Sequence, residues 1–113
     1  MASSSNITNT VIKGLGKVEQ TLIITSSTQK AACVGLSLAN LTQGIVNASI
    51  FLTDDNGTKG HFIKDIKIAP NSSARVINGG EKLLLAPENQ VSVVCDTNNG
   101  LDVIFSLVVI TYS

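Results

Sequence analysis

His61 is the only histidine in this chain, so an imidazole relay or a histidine-bearing metal site has one candidate. It follows Gly60 at the start of an apolar-polar run, where an exposed strand residue is expected, and the sequence identifies no partner for it. Residues 53–60, TDDNGTKG, are rich in oxygen donors but lack the ligand spacing of a calcium-binding helix-loop-helix, so they read as a polar hairpin tip. No serine sits in Gly-x-Ser-x-Gly, and the NGG at 78–80 is not followed by the helix that a phosphate loop requires. The acidic pairs Glu81/Glu88 and Asp96/Asp102 could in principle hydrolyse a glycoside. They flank turns, however, and three Phe and one Tyr offer little surface for a sugar. Lys59, Lys64 and Lys67 form no basic stripe, and nothing stacks beside them, so no nucleic-acid partner is expected. The reading is of a protein without catalytic activity, metal or cofactor.

Cys33 and Cys95 are far enough apart for the inter-sheet disulfide of an immunoglobulin domain, but the chain has no Trp and Val93 stands where that fold places Tyr. Side-chain parity puts Cys33 opposite Val34, Leu36 and Leu38, whereas Cys95 shares a face with Val91 and Val93. One thiol inward, one outward and both free is the expectation, as suits a reducing cytoplasm. Five Asn-x-Ser/Thr sequons, at Asn6, Asn40, Asn47, Asn56 and Asn71, follow from an Asn/Ser/Thr-rich composition. The N-terminus does not have the pattern of a secretory leader, and the run VIFSLVVI is far shorter than a membrane helix. A soluble chain with no membrane partner is expected.

The elements that position these residues are strands. At 113 residues the chain is expected to be one domain. Charged residues make up 14% of it, and eight Lys/Arg balance eight Asp/Glu, so Asn, Ser and Thr supply much of the surface polarity. A neutral surface of this kind suits a life in an assembly. Strands are predicted at 19–25, 31–41, 45–53, 61–69, 73–77, 81–86, 89–96 and 101–112, with a bulge near Lys64. The Asn-Gly pairs at 56–57, 78–79 and 99–100 and the Ala-Pro pairs at 69–70 and 86–87 punctuate them. Two similar phrases of unequal length do not make a solenoid; they are corners. The fold class expected is all-β, an antiparallel β-sandwich of jelly-roll or Greek-key type with about eight strands. Residues 1–17 read as a flexible N-terminal arm, with a short extended piece at Val11-Ile12, and residues 18–113 as the sandwich domain.

The last strand is apolar on both faces. Val103, Phe105, Leu107 and Val109 suit the core; Ile104, Val108 and Ile110 lie opposite, interrupted by Ser106. Phe51 is in the same position on its own strand. Two covers fit these residues: the N-terminal arm, or a neighbouring subunit across an interface of Phe51, Ile104, Val108 and Ile110. The expectation is a homo-oligomer, with a trimer as one form.

From EQTLIIT onward, through VGLSLANLTQGIVNASIFLTDD and HFIKDIKIAPNSSARVINGGEKLLLAPENQVSVV to LDVIFSLVVITY, the chain resembles a group of small virion proteins of tailed bacteriophages, many from cyanophages. Where that group often carries a proline after its first strand, this chain has ITSSTQ. The resemblance implies a structural protein of the particle, assembled in the host cytoplasm. A capsid cement or decoration subunit leads, bound to the major capsid protein or other virion proteins through the arm and the last strand. A neck, tail or baseplate component is the alternative, followed by a host-glycan-binding module.

Overall fold

The computed structural model describes residues 3–77 and 82–112; the corner expected at Asn78-Gly79, and Glu81, lie outside them. Among the described residues, nine strands form two antiparallel sheets. One sheet runs in the order β1 (Ser3–Leu15), β9 (Leu101–Tyr112), β3 (Gln29–Asn40), then β6 (Ser72–Ile77), with β7 (Leu83–Leu85) also on β3. The other runs β2 (Gln20–Ile24), β8 (Gln90–Cys95), β4 (Val46–Thr53), β5 (Lys59–Ile68). β6 pairs with Leu36–Asn40 of β3, and β7 with Ala31–Cys33, so the two occupy successive stretches of one edge. First strand beside last, second beside penultimate and fourth beside fifth is the jelly-roll order.

Alternation along each strand builds the core. Leu36 and Leu38 of β3, and Val103, Phe105 and Leu107 of β9, face Val46 and Ile50 of β4 and Val91 and Val93 of β8, all of them buried. Each such side chain contributes roughly 1.5–3 kcal/mol on leaving water. The expected bulge is present: Ala48 pairs with Ile66 and Ile50 with Ile63, leaving Lys64 and Asp65 opposite Ser49. Asp65 takes a positive φ of 50° there. Its amide donates to Ser49 Oγ at 3.0 Å.

Two expectations need correction. Residues Ser3–Leu15, where a flexible arm was expected, are strand β1, paired without interruption from Ser3 to Ile12 along β9. β1 therefore lies beside the last strand rather than over its outer face. Both cysteines are buried, not one. A register shift between Cys33 and Gly35 flips the parity of β3, so Ala31 and Cys33 point into the same core as Leu36 and Leu38. The two described Asn-Gly corners turn on different residues. At the first, Gly57 alone takes the left-handed conformation (φ 82°), and its amide donates to Asp54 O at 3.1 Å. At the second, Asn99 does so (φ 52°), and a side chain at Gly100 would meet the Thr97 carbonyl at 2.8 Å. The Ala-Pro corners share one device: Asn71 and Glu88, each following proline, have positive φ, as the third residue of a type II turn requires.

Candidate functional site

Several of the chemically capable side chains are committed to a neighbour. Lys59 Nζ donates to both oxygens of Glu19, at 2.6 and 2.8 Å, and Ser92 Oγ donates to the same carboxylate at 2.7 Å. These bonds, that from Lys59 foremost, hold the Glu19 carboxyl below its ordinary range. The Lys59 ammonium also stands 4.4 Å from the centre of the Phe51 ring, and the His61 ring lies 4.6 Å from it. The group is a polar clamp across the outer face of the β2-β8-β4-β5 sheet, closing over Phe51 and linking the approach to β2 with β4, β5 and β8.

The other candidates have similar duties. Asp54 Oδ1 accepts from the amides of Asn56 and Thr58, both at 2.9 Å, which shapes the hairpin tip from the oxygen-rich TDDNGTKG. Asp96 accepts from Asn47 Nδ2 at 2.8 Å and Asn47 N at 3.0 Å, bonds that lower its carboxyl. Asp102 accepts from Gly14 N at 3.0 Å. Burial pushes the Cys33 thiol up to about 12 and raises that of Cys95 too, suppressing the thiolate that nucleophilic or metal chemistry needs. Among the described residues, no three His, Cys, Asp or Glu side chains gather as a metal site would require.

The opposite sheet carries the more open surface. Directly paired residues of an antiparallel sheet point to one side, so pairing defines the rows on its outer face. One row runs Leu84, Ala32, Val108, Ile7 across β7, β3, β9 and β1; another runs Arg75, Ser37, Ile104, Val11. Ile7 is 81% exposed, Leu84 69% and Ile104 47%. Ile110 flanks the first row with Lys30 and Ser5 as partners. The structure thus brings Ile104, Val108 and Ile110 together and places Phe51 on the other sheet, half-buried beneath Lys59. Sequence reading missed Ile7, Val11, Ala32 and Leu84. The signal for the first two was present: Ile7 and Val11 are an even number of positions apart in a polar segment, so they share a face once that segment is a strand.

No family model and no curated protein matches the chain. Solved structures do. A chain of the Bacillus endospore appendages, described as disulfide-linked pili, superposes with a TM-score of 0.55 at 15% identity, covering 100% of this chain and 93% of that one. A chain of the acid-stable capsid of Helicobacter pylori bacteriophage KHP30 gives 0.53 at 12% identity, covering 99% and 94%. A chain of the T13 particle of infectious bursal disease virus gives 0.54 at 11% identity over 96% of this chain, which spans only 31% of that longer one. At such identities the likeness is one of fold: an antiparallel jelly roll of a kind built into viral particles and into a bacterial surface fibre.

Proposed function

We propose that this protein is a non-enzymatic structural subunit of a bacteriophage virion, a capsid cement or decoration protein that stabilises the shell. The observation that carries the reading is the open apolar face of the β1-β9-β3 sheet, the kind of surface an assembly covers. The likeness of fold to a chain of a phage capsid supports a place in a particle. On this reading the outer rows around Ile104, Val108 and Ile110 contact neighbouring virion proteins. The fibre-forming neighbour, covered almost in full, favours a second reading: a subunit of a neck, tail or baseplate. The pili of that neighbour are described as disulfide-linked; here both thiols are free and buried.

Locating the chain in a cryo-EM map of the particle tests the proposal. Density on the capsid lattice, with particles that lose heat resistance when the gene is deleted and regain it when purified protein is added back, is the expected result. Density confined to the neck, tail or baseplate transfers the assignment to the second reading. Absence from the particle, or specific hits on a glycan array, overturns both.

A further inference from the structure

A sheet edge offers unpaired N–H and C=O groups to any strand that can align with it, so proteins guard edges with charge, proline, bulges or brevity. Three of the four edges here are guarded. β5 carries Lys59, Lys64, Asp65 and Lys67 and two register irregularities. β2 has only five residues, with a register shift of its own. The edge along β3 is divided between β6, which bears Arg75, and the three residues of β7.

β1 is different. It is 13 residues long, and from Ser3 to Ile12 it has no charge, no proline and no break in register. Among the described residues, no strand pairs with its free edge. Ser4 through Asn9 are exposed on both faces, so this half of β1 projects past the second sheet and none of the described residues blocks an approach.

We infer that the free edge of β1 pairs with β1 of a second copy, antiparallel, with Ile7 opposite Ile7. The register is set by self-complementarity. Centred there, Ser5 meets Asn9, Asn6 meets Thr8 and Ser4 meets Thr10, so the whole overlap is uncharged and no like charges oppose. The pairing also extends the exposed row Leu84, Ala32, Val108, Ile7 straight into its symmetry mate, turning two half-rows into one apolar band across a continuous sheet. A twofold axis perpendicular to the sheet keeps both outer faces on one side, presenting a doubled surface to a third partner. This specifies the self-association within the proposed function as a twofold pair, not a trimer.

Light scattering on the purified full-length chain, up to high micromolar concentration, is expected to show a concentration-dependent dimer. Ile7→Lys puts like charges face to face and is expected to weaken dimerisation by roughly tenfold or more, with unchanged circular dichroism because Ile7 is exposed. Ile7→Cys is expected to form a disulfide-linked dimer under mild oxidation. Val11→Cys is not, because the two introduced thiols would sit eight strand positions apart, roughly 26 Å; the buried Cys33 and Cys95 do not compete. The cross-linking result is independent of how Ile7→Lys folds. A monomer at every concentration, a trimer, an assembly indifferent to Ile7→Lys, or Val11→Cys linking as readily as Ile7→Cys overturns the inference. None of these touches the virion reading, which the chain's place in the particle decides.

Discussion

At the residue scale, buried polar side chains act as joints between corners. Asn40 is fully buried. Its Nδ2 donates to Gly44 O at 2.8 Å and Ile68 O at 3.0 Å, and its Oδ1 accepts from Thr42 N at 2.9 Å. One side chain thus ties the β3–β4 loop to the end of β5. Replacing it with an apolar residue leaves several of these groups without partners, at roughly 1–3 kcal/mol for each buried one. Asn40→Leu is therefore expected to cost about 3 kcal/mol or more in a denaturant titration. Glu19 gives a pH signature. Its folded carboxyl is lowered mainly by Lys59, so its stabilisation is complete above the ordinary carboxylate range and is lost as pH falls through the depressed value. The stability gap between the native chain and Glu19→Gln should therefore be largest near neutrality and close toward strong acid. A gap that stays constant across that window rejects the clamp.

At the scale of elements, one extra residue in β3 decides what the strand buries. The register shift between Cys33 and Gly35 lets Ala31 and Cys33 share the core with Leu36 and Leu38. Side chains in a strand alternate with period two, so deleting Gly35 takes out the extra position and leaves both pairs on the inner face of a regular strand. The variant is therefore expected to stay folded, with dispersed amide signals in NMR and a stability loss short of the roughly 1.5–3 kcal/mol that expelling one large apolar group would cost; collapsed dispersion would reject this account of the bulge. β1 is a second case. Thr8, Thr10 and Asn6 give it no hydrophobic alternation strong enough to announce a strand. β9 makes it one, because a long strand flanked by β3 on one side needs a partner on the other. The unguarded edge of β1 follows from the same composition.

At the scale of the molecule, the shape is elongated, 52 × 26 × 22 Å, and β9 joins its distant parts, lying between β1 and β3 with Phe105 fully buried. Both sheets share one core, so unfolding followed by far-UV circular dichroism and by near-UV signals should give a single coincident transition. Two separated midpoints would show that the sheets fold apart. Because the first strand pairs with the last, folding must wait for long-range closure, and refolding in milliseconds to seconds is expected. The same sandwich leaves its outer surfaces free for assembly, and the proposed virion role rests on them.

By itself the sequence determined the strands β2 to β9, the corners at Pro70 and Pro87, the bulge at Lys64 and the sandwich class. Each of these follows from local alternation or from backbone restrictions that one or two residues impose. It also marked Ile104, Val108 and Ile110 as apolar on the wrong face for a simple sandwich. Only the tertiary structure decided that both cysteines are interior, because a bulge changes parity without leaving a distinctive residue. Only the tertiary structure made a strand of residues 3–15, since its pairing partner lies at the other end of the chain. And only the sheet order separated Phe51, closed under the Lys59–Glu19 clamp, from the open rows of the opposite sheet: which strands become neighbours is set by packing across the whole chain, not by the residues beside them in sequence.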